Sequence, residues 1–345
     1  MKKEVNSVKK WDNTISSWRD IESPKEKGIA LSTVTYGKIR NNESNGRHYV
    51  LIADGCKVND FSLRGETLEL ATNGAINVLN YFRNKNENYV VEAVFMDLHA
   101  PHIEETKWLA SYINELAKNP YVKTISFLGH SKCGVMAFHL LRYLTPLSIS
   151  KSYIYSVSSP YTGALLATPC FLRQEFQRVV ESKLGKCLLA DMVVESLMGI
   201  YNMKFSNSQL DFDISIPGGL PDDVMERYDP SFIGNVFSKE NVSLVEKGVH
   251  WQNICTAVDN NTLREVMKAN DILGLGFCIL NEFLFEGKSD GLVSLASQKA
   301  VEKQFMDDHS QSKIIYSTHF VYKIPKFTNE LLDVVDDNIK RLSYK

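Results

Sequence analysis

Short apolar runs recur along the chain and alternate with segments of helical periodicity. We interpret each run as a buried β-strand. The predicted strands are YVLIADG at 49–55, EAVFMDL at 92–98, KTISFLG at 123–129, SYIYSVSS at 152–159, HWQNICTAV at 250–258 and KIIYSTH at 313–319. Because most of these runs are continuously apolar rather than alternating, they indicate strands covered on both faces of a sheet.

Other segments space their apolar residues three or four positions apart, which is typical of helices. Residues 104–119 show this spacing, as does the segment after Gly134. Residues 328–342 form a C-terminal stripe, for which Thr328 is the expected N-cap. Strands that alternate with helices predict an α/β fold, with a mostly parallel central sheet flanked by helices.

One long segment, residues 171–248, interrupts the alternation. It lies between two predicted strands, is helical in parts, and contains PGGLPDD at 217–223. We interpret 171–248 as an inserted helical cap or lid. The core is then formed by residues 48–170 and 249–345, and residues 1–47 are an N-terminal extension.

Composition and charge narrow the class of protein. The chain has 345 residues, of which 44% are hydrophobic and 23% charged, as in ordinary globular proteins. The net charge is -2 with no long block of like charge, so we expect no nucleic-acid partner. The six cysteines form no C-x-x-C pair, which argues against a zinc module or a disulfide framework. His99 and His102 lack an obvious third ligand, so neither metal nor cofactor is expected.

The N-terminal residues MKKEVNSVKKWDNT contain no apolar core of a signal peptide. The longest apolar stretch, ILGLGFCIL at 272–280, is too short to cross a bilayer. We therefore expect a cytoplasmic protein without a transmembrane segment. Export by a signal-independent route would leave the same pattern.

The segment ISFLGHSKCG, residues 125–134, carries the first candidate for chemistry. Ser131 lies where a predicted strand passes into a helix, with Gly129 two positions before it and Cys133 two positions after. A serine on such a turn stands above the carboxyl edge of a sheet, and the turn admits only small neighbours. We interpret Cys133 as the second small residue, in preference to a reactive thiol. The alternative for Ser131 is a simple helix-capping serine.

A serine nucleophile needs a base, and the base needs an orienting acid. In strand-turn-helix sites of this type the chain order is serine, acid, histidine. The histidines that follow Ser131 are His139, His250, His309 and His319. His319 ends the last predicted strand, where the base is expected. The acid candidate is Asp290 in GKSDGLVSLAS, with Asp259 and Asp271 as competitors.

Together these segments resemble the lipase branch of the α/β-hydrolase superfamily, especially bacterial lipases with a GHSxG elbow. The resemblance is carried by the elbow region at 108–134, by VSSPYTGALLA at 157–167, and by SDGLVSLAS at 289–297, which is similar to the family's NDGLV segment. It extends over roughly residues 48–325 and implies Ser131 as nucleophile, Asp290 as acid and His319 as base.

The resemblance also implies an oxyanion hole built from the backbone N–H groups of Cys56 and Lys132. Two positions depart from the family pattern: Asp54-Gly55 stands where His-Gly is usual, and Cys133 stands where the elbow usually ends in glycine. The aspartate that binds calcium after the base in related extracellular lipases is missing, so no calcium site is expected.

The expected function is that of a serine hydrolase. Its substrate would be a carboxylic ester with an apolar acyl chain, as for a lipase, esterase or phospholipase, and the reaction would pass through an acyl-enzyme. Two alternatives stay open: an acyltransferase that uses the same triad, and a non-catalytic binding protein on the hydrolase fold.

Overall fold

The computed structural model describes residues 15–21, 31–36, 46–54, 77–78, 80–82, 89–95, 102–161, 250–285, 287–304 and 312–343, with short pieces between 177 and 195. These residues divide into two compact units. The first unit consists of Met1–Ser156, Leu244–Trp251 and Thr328–Lys345. The second unit consists of Val157–Ser243 and Gln252–Phe327.

The strands in chain order are β1 (Ile15–Ile21), β2 (Leu31–Tyr36), β3 (Arg47–Asp54), β4 (Tyr89–Phe95), β5 (Val122–His130), β6 (Ser152–Val157), β7 (Trp251–Ala257) and β8 (Lys313–Tyr316). In the described residues they pair in the order β1-β2-β4-β3-β5-β6-β7-β8. The pairs of β3 with β4, β3 with β5, and β7 with β8 are parallel, whereas β2 is antiparallel to β1 and β4.

The helices in chain order are α1 (His102–Lys118), α2 (Lys132–Leu140), α3 (Pro146–Lys151), α4 (Asn260–Lys268), α5 (Ile272–Phe285), α6 (Leu295–Gln298) and α7 (Pro325–Ser343). Short 3₁₀ turns cover Leu141–Tyr143 and Ala300–Gln304. None of the helices in the described part of the chain combines the length and the apolar character that a membrane span requires.

The core of the first unit is built on β3 and β5. Val50, Leu51 and Phe127 are completely buried. Leu51 lies opposite Phe127 in the register of the two strands. A continuously apolar strand predicts burial on both faces of the sheet. The burial of these residues agrees with that prediction.

The prediction of a mostly parallel sheet flanked by helices is confirmed, and each predicted strand is present with its ends shifted by a few residues. The apolar pattern predicts no strand before residue 49, yet β1 and β2 lie there. Their sequences, ISSWRDI and LSTVTY, mix polar with apolar residues. Such mixed runs in antiparallel strands give a weaker signal than a buried parallel strand does.

The expected start of the C-terminal helix is wrong. Thr328 is not its N-cap but a buried residue inside α7, which begins at Pro325. Proline is well suited to the first turn of a helix, because its fixed φ is helical and its missing N–H would have no intrahelical partner. Most of the predicted cap at 171–248 lies outside the described residues.

Candidate active site

Ser131 occupies the turn between β5 and α2 in the first unit. Its backbone has φ 57 and ψ -124, one of few positive φ values at a described residue other than glycine. Its side chain makes no capping hydrogen bond to α2. The capping alternative therefore fails, because a capping serine would accept a bond from the first turn of the helix. A strained conformation with no capping role is a frequent mark of a functional site.

The close approach of strand and helix explains the glycine two positions before the serine. A Cβ at Gly129 would lie 2.2 Å from the carbonyl oxygen of Cys133. No side chain fits at that distance, so only glycine allows α2 to begin where it does. The turn that carries Ser131 is thereby set by contact between backbone atoms rather than by a side-chain hydrogen bond.

Side chains of β6 and β7 fasten the beginning of α2. The hydroxyl of Ser156 donates to the carbonyl oxygen of Gly134 at 2.8 Å, and the indole N–H of Trp251 donates to Ser156 Oγ at 3.0 Å. The same indole packs edge-on against Phe138, with ring centroids 5.1 Å apart. The first turn of α2 is therefore held in place within the first unit.

Cys133 is the second residue of α2, and its side chain is only 2% exposed. We expect Cys133→Gly to keep ester-cleaving activity and to lower stability by about 1 kcal/mol, because it removes a small buried side chain. Cys133→Leu should damage both properties, since added methylenes in a close-packed site cost roughly 1–3 kcal/mol and shift the backbone. Thermal unfolding and ester turnover of both variants measure these effects.

An accessible thiol offers a control for the reactive-cysteine alternative. Cys187 is exposed, and neither it nor Cys133 is disulfide-bonded. In the wild-type protein we therefore expect iodoacetamide to react at Cys187 rather than at the buried Cys133. A Cys187→Ser protein should be alkylated more slowly than the wild type at these two positions, and it should keep its activity. If Cys133→Gly were inactive and alkylation of Cys133 tracked the loss of activity, the packing role would be wrong.

Asp290 and His319 come together in the second unit. Asp290 Oδ2 and His319 Nδ1 are 2.8 Å apart, and both residues are completely buried. The backbone N–H of His319 also donates to the carbonyl oxygen of Asp290 at 2.9 Å. Two segments that are 29 residues apart in sequence are thus joined through both side chain and backbone.

The loop after Asp290 folds back onto its carboxylate. Oδ1 accepts the backbone N–H groups of Leu292 at 2.9 Å and Val293 at 2.8 Å. Gly291 between them has φ 93, and a Cβ there would lie 2.4 Å from the backbone oxygen of Phe277 on α5. The DG pair is therefore needed for the conformation of the loop as well as for the charge.

Helix α5 also supports the loop that carries His319. Phe277 packs against Phe320 with ring centroids 5.3 Å apart. Lys323 forms an ion pair with the buried carboxylate of Asp271, directly before α5. One helix thus contacts both the acid loop and the histidine loop.

The competing candidates have other roles or lie elsewhere. Asp259 caps α4 by accepting the N–H of Thr262 at 2.7 Å, and Asp271 is paired with Lys323 as described. His139 is buried within α2, and burial lowers its pKa to about 4. His250 stacks on Tyr153 with ring centroids 5.2 Å apart. His309 lies outside the described residues.

The two proposed oxyanion donors differ in what the structure describes. Lys132 is the first residue of α2, so its N–H has no acceptor within the helix. Cys56 lies outside the described residues. In the described part of the chain, no group of three or more His, Cys, Asp or Glu side chains is arranged to hold a metal.

Sequence reasoning missed two side chains that contact Asp290. The hydroxyl of Thr256 on β7 donates to Oδ2 at 2.8 Å, and Gln298 Nε2 at the end of α6 donates to the same atom at 3.2 Å. Both residues are completely buried. Neither contact leaves a signal in the sequence, because burial and hydrogen bonds between distant segments appear only in the folded chain.

No family model and no curated protein matches the sequence. Among solved structures, a soluble variant of monoglyceride lipase from Saccharomyces cerevisiae matches with a TM-score of 0.48 and 9% identity, over 96% of this chain and 97% of that one. Est1E from Butyrivibrio proteoclasticus matches with a TM-score of 0.45 and 11% identity, over 96% and 100%. Proline iminopeptidase from Mycobacterium smegmatis matches with a TM-score of 0.44 and 11% identity, over 94% and 98%. At these levels, reaction and substrate must be argued from the residues of this chain.

Proposed function

We propose that this chain, which has the α/β-hydrolase fold, is a serine hydrolase that cleaves carboxylic esters with an apolar acyl chain. The observation that carries the proposal is the buried hydrogen bond between His319 Nδ1 and Asp290, which orients an imidazole as a general base. The strained backbone of Ser131 at the end of β5 supports it. The order serine, acid, histidine along the chain fits the same mechanism.

In the proposed first half-reaction, His319 Nε2 takes the proton of the Ser131 hydroxyl as its oxygen attacks the ester carbonyl carbon. Asp290 stabilises the imidazolium that forms. The tetrahedral intermediate then collapses, the bond to the alcohol oxygen breaks, and His319 returns the proton to that oxygen. The product is an acyl-enzyme on Ser131 and a released alcohol.

The proposed oxyanion hole consists of the backbone N–H groups of Lys132 and Cys56. The N–H of Lys132 lies at the N-terminus of α2, where the helix dipole favours negative charge. In the second half-reaction a water molecule loses a proton to His319 and attacks the acyl carbon. The bond to Ser131 Oγ then breaks, His319 returns the proton to that oxygen, and the acid is released.

The acyl preference is proposed from the sequence of the segment 171–248, which we interpret as the cap. Its apolar residues at helical spacing include Val193, Leu197 and Ile200. Such a surface suits an acyl chain, because clefts that bind apolar ligands are lined mostly by hydrophobic side chains.

The proposal is tested by treating the full chain with a fluorophosphonate probe and by measuring hydrolysis of p-nitrophenyl esters of increasing acyl length. We expect one labelled site, located at Ser131 by mass spectrometry of the peptides. We also expect kcat/KM to rise from the acetyl ester to longer acyl esters.

The outcomes separate the alternatives left open by the sequence. Absence of both labelling and hydrolysis would refute the proposal and favour a binding protein. Labelling with transfer of the acyl group to an added alcohol in preference to water would replace hydrolysis by acyl transfer. A kcat/KM that falls with acyl length would refute the proposed preference for apolar acyl chains but not the proposed serine hydrolase activity.

A further inference from the structure

We infer that Gln298 and Thr256 are positioning residues that hold Asp290 as an ionised acceptor and thereby keep the imidazole proton of His319 on Nδ1. For turnover this inference rests on the proposed function. The geometry behind the inference does not depend on that function, because all the contacts involved lie within the second unit.

The orientation of the Gln298 amide is determined by backbone groups. Its Oε1 accepts the N–H of Thr256 at 2.7 Å, and its Nε2 donates to the carbonyl oxygens of Thr256 at 3.0 Å and Val293 at 3.1 Å. A backbone N–H can only donate and a carbonyl can only accept. Reversing the amide would therefore break every one of these bonds, so its nitrogen must point where it does.

That nitrogen also faces the carboxylate. Gln298 Nε2 lies 3.2 Å from Asp290 Oδ2, and because an amide nitrogen is only a donor, Oδ2 must accept. Thr256 Oγ1 lies 2.8 Å from the same atom. The hydroxyl of Ser158 lies 2.6 Å from Thr256 Oγ1, so Ser158 supplies the hydrogen of that contact when Thr256 donates to the carboxylate.

The other carboxylate oxygen, Oδ1, is also an acceptor of hydrogen bonds only. Oδ1 accepts the backbone N–H groups of Leu292 and Val293. With donors directed at both oxygens, Asp290 acts as an ionised carboxylate, and the hydrogen in its contact with His319 belongs to Nδ1. Nε2 of the imidazole then remains the basic nitrogen, which is the tautomer that a general base requires.

Burial makes these donors hard to replace. Gln298, Thr256 and Asp290 are each completely buried. A lost side-chain donor at such a site leaves a polar group unsatisfied, because water does not reach it. We therefore expect changes at Gln298 to act on the protonation of the Asp290–His319 pair and not only on folding.

Gln298→Glu is the sharpest substitution. It preserves the size of the side chain and the Oε1 that accepts the Thr256 N–H, but it replaces Nε2 by oxygen. That oxygen would face three acceptors: Thr256 O, Val293 O and Asp290 Oδ2. Protonated, the new carboxyl group can donate to only one of them; ionised, it places a second negative charge against Asp290.

Asn253→Asp is the matched control. Asn253 is a buried residue of β7 whose amide donates to the carbonyl oxygen of Gln298 at 2.9 Å and to Ser312 Oγ at 2.6 Å. It lies in the same hydrogen-bonded cluster and undergoes the same amide-to-acid change, but its hydrogen bonds within the described residues go to groups other than Asp290. A purely structural effect should appear equally in both variants.

Each protein is studied by ester kinetics, thermal unfolding and proton NMR of the imidazole Nδ1–H after ¹⁵N-histidine labelling. We expect Gln298→Glu to lower kcat about 100-fold with KM within about twofold, since the imidazole is no longer held in one tautomer. Its far-downfield Nδ1–H resonance should shift or disappear. Asn253→Asp should keep that resonance and a kcat within about threefold of the wild type, although its unfolding midpoint falls.

Thr256→Val tests the same inference if Gln298→Glu does not fold, because it removes only the second side-chain donor and retains the shape. It should lower kcat about tenfold and move the resonance, and Thr256→Ser should restore both.

Wild-type kcat and an unchanged resonance in the folded Gln298→Glu protein, or in Thr256→Val, would overturn the inference while leaving the hydrolase proposal intact. A resonance lost in Gln298→Glu and kept in Asn253→Asp, in a protein without any ester turnover, would support the inference and refute the proposed function.

Discussion

Ser131→Ala is expected to reduce ester turnover about a millionfold, as removal of a triad serine does in other hydrolases. The substitution should leave the fold intact. The hydroxyl of Ser131 makes no capping bond to α2, so its removal costs the helix nothing. Alanine also tolerates the positive φ of this turn about as well as serine does, because both carry a Cβ. Thermal unfolding, ester turnover and fluorophosphonate labelling of the variant provide the measurements.

Ser126→Ala is the control for this substitution. Ser126 is a completely buried residue of the same strand, β5, and its hydroxyl has no hydrogen-bond partner among the described residues. Loss of that hydroxyl should change neither turnover nor labelling. Near-normal esterase activity in Ser131→Ala, or an equal loss in Ser126→Ala, would show that Ser131 is not the nucleophile.

The strand and turn that carry Ser131 could be predicted because their signals are local. A continuous apolar run followed by Gly129 and then by a helical pattern depends on neighbours in sequence alone. The SDG motif around Asp290 is also a local signal, since its residues are neighbours in sequence. The structure shows why it contains Gly291, because the loop approaches α5 closely at this position. His319 is predictable from its place at the end of the last apolar run.

The partners of the carboxylate could not be predicted in this way. Thr256 and Gln298 are 42 residues apart, and their contacts form only when β7 and the acid loop pack together. A hydrogen bond between distant segments leaves no periodic pattern in the sequence. The roles of Asp259 and Asp271 became distinguishable for the same reason, through Thr262 and Lys323.

Asp290→Asn is expected to reduce turnover roughly ten-thousandfold with KM largely preserved. The protein should still fold, but with a lower unfolding midpoint, because Gln298 Nε2 would then face a second donor. The reason follows from the donors around the side chain. Leu292 and Val293 direct backbone N–H groups at Oδ1, so the amide oxygen must take that position. The amide nitrogen then replaces Oδ2 and points at His319 Nδ1, where two donors would meet.

The imidazole can relieve that clash only by moving its proton from Nδ1 to Nε2, and it then cannot take a proton from Ser131. Asp259→Asn is the comparison, because Asp259 makes hydrogen bonds only at the start of α4 among its described contacts, and asparagine caps helices nearly as well as aspartate. We expect that variant to keep its kcat and its unfolding midpoint. Turnover numbers and imidazole ¹⁵N shifts of both proteins decide the matter: a severe loss in Asp259→Asn together with a harmless Asp290→Asn would move the acid to the other aspartate.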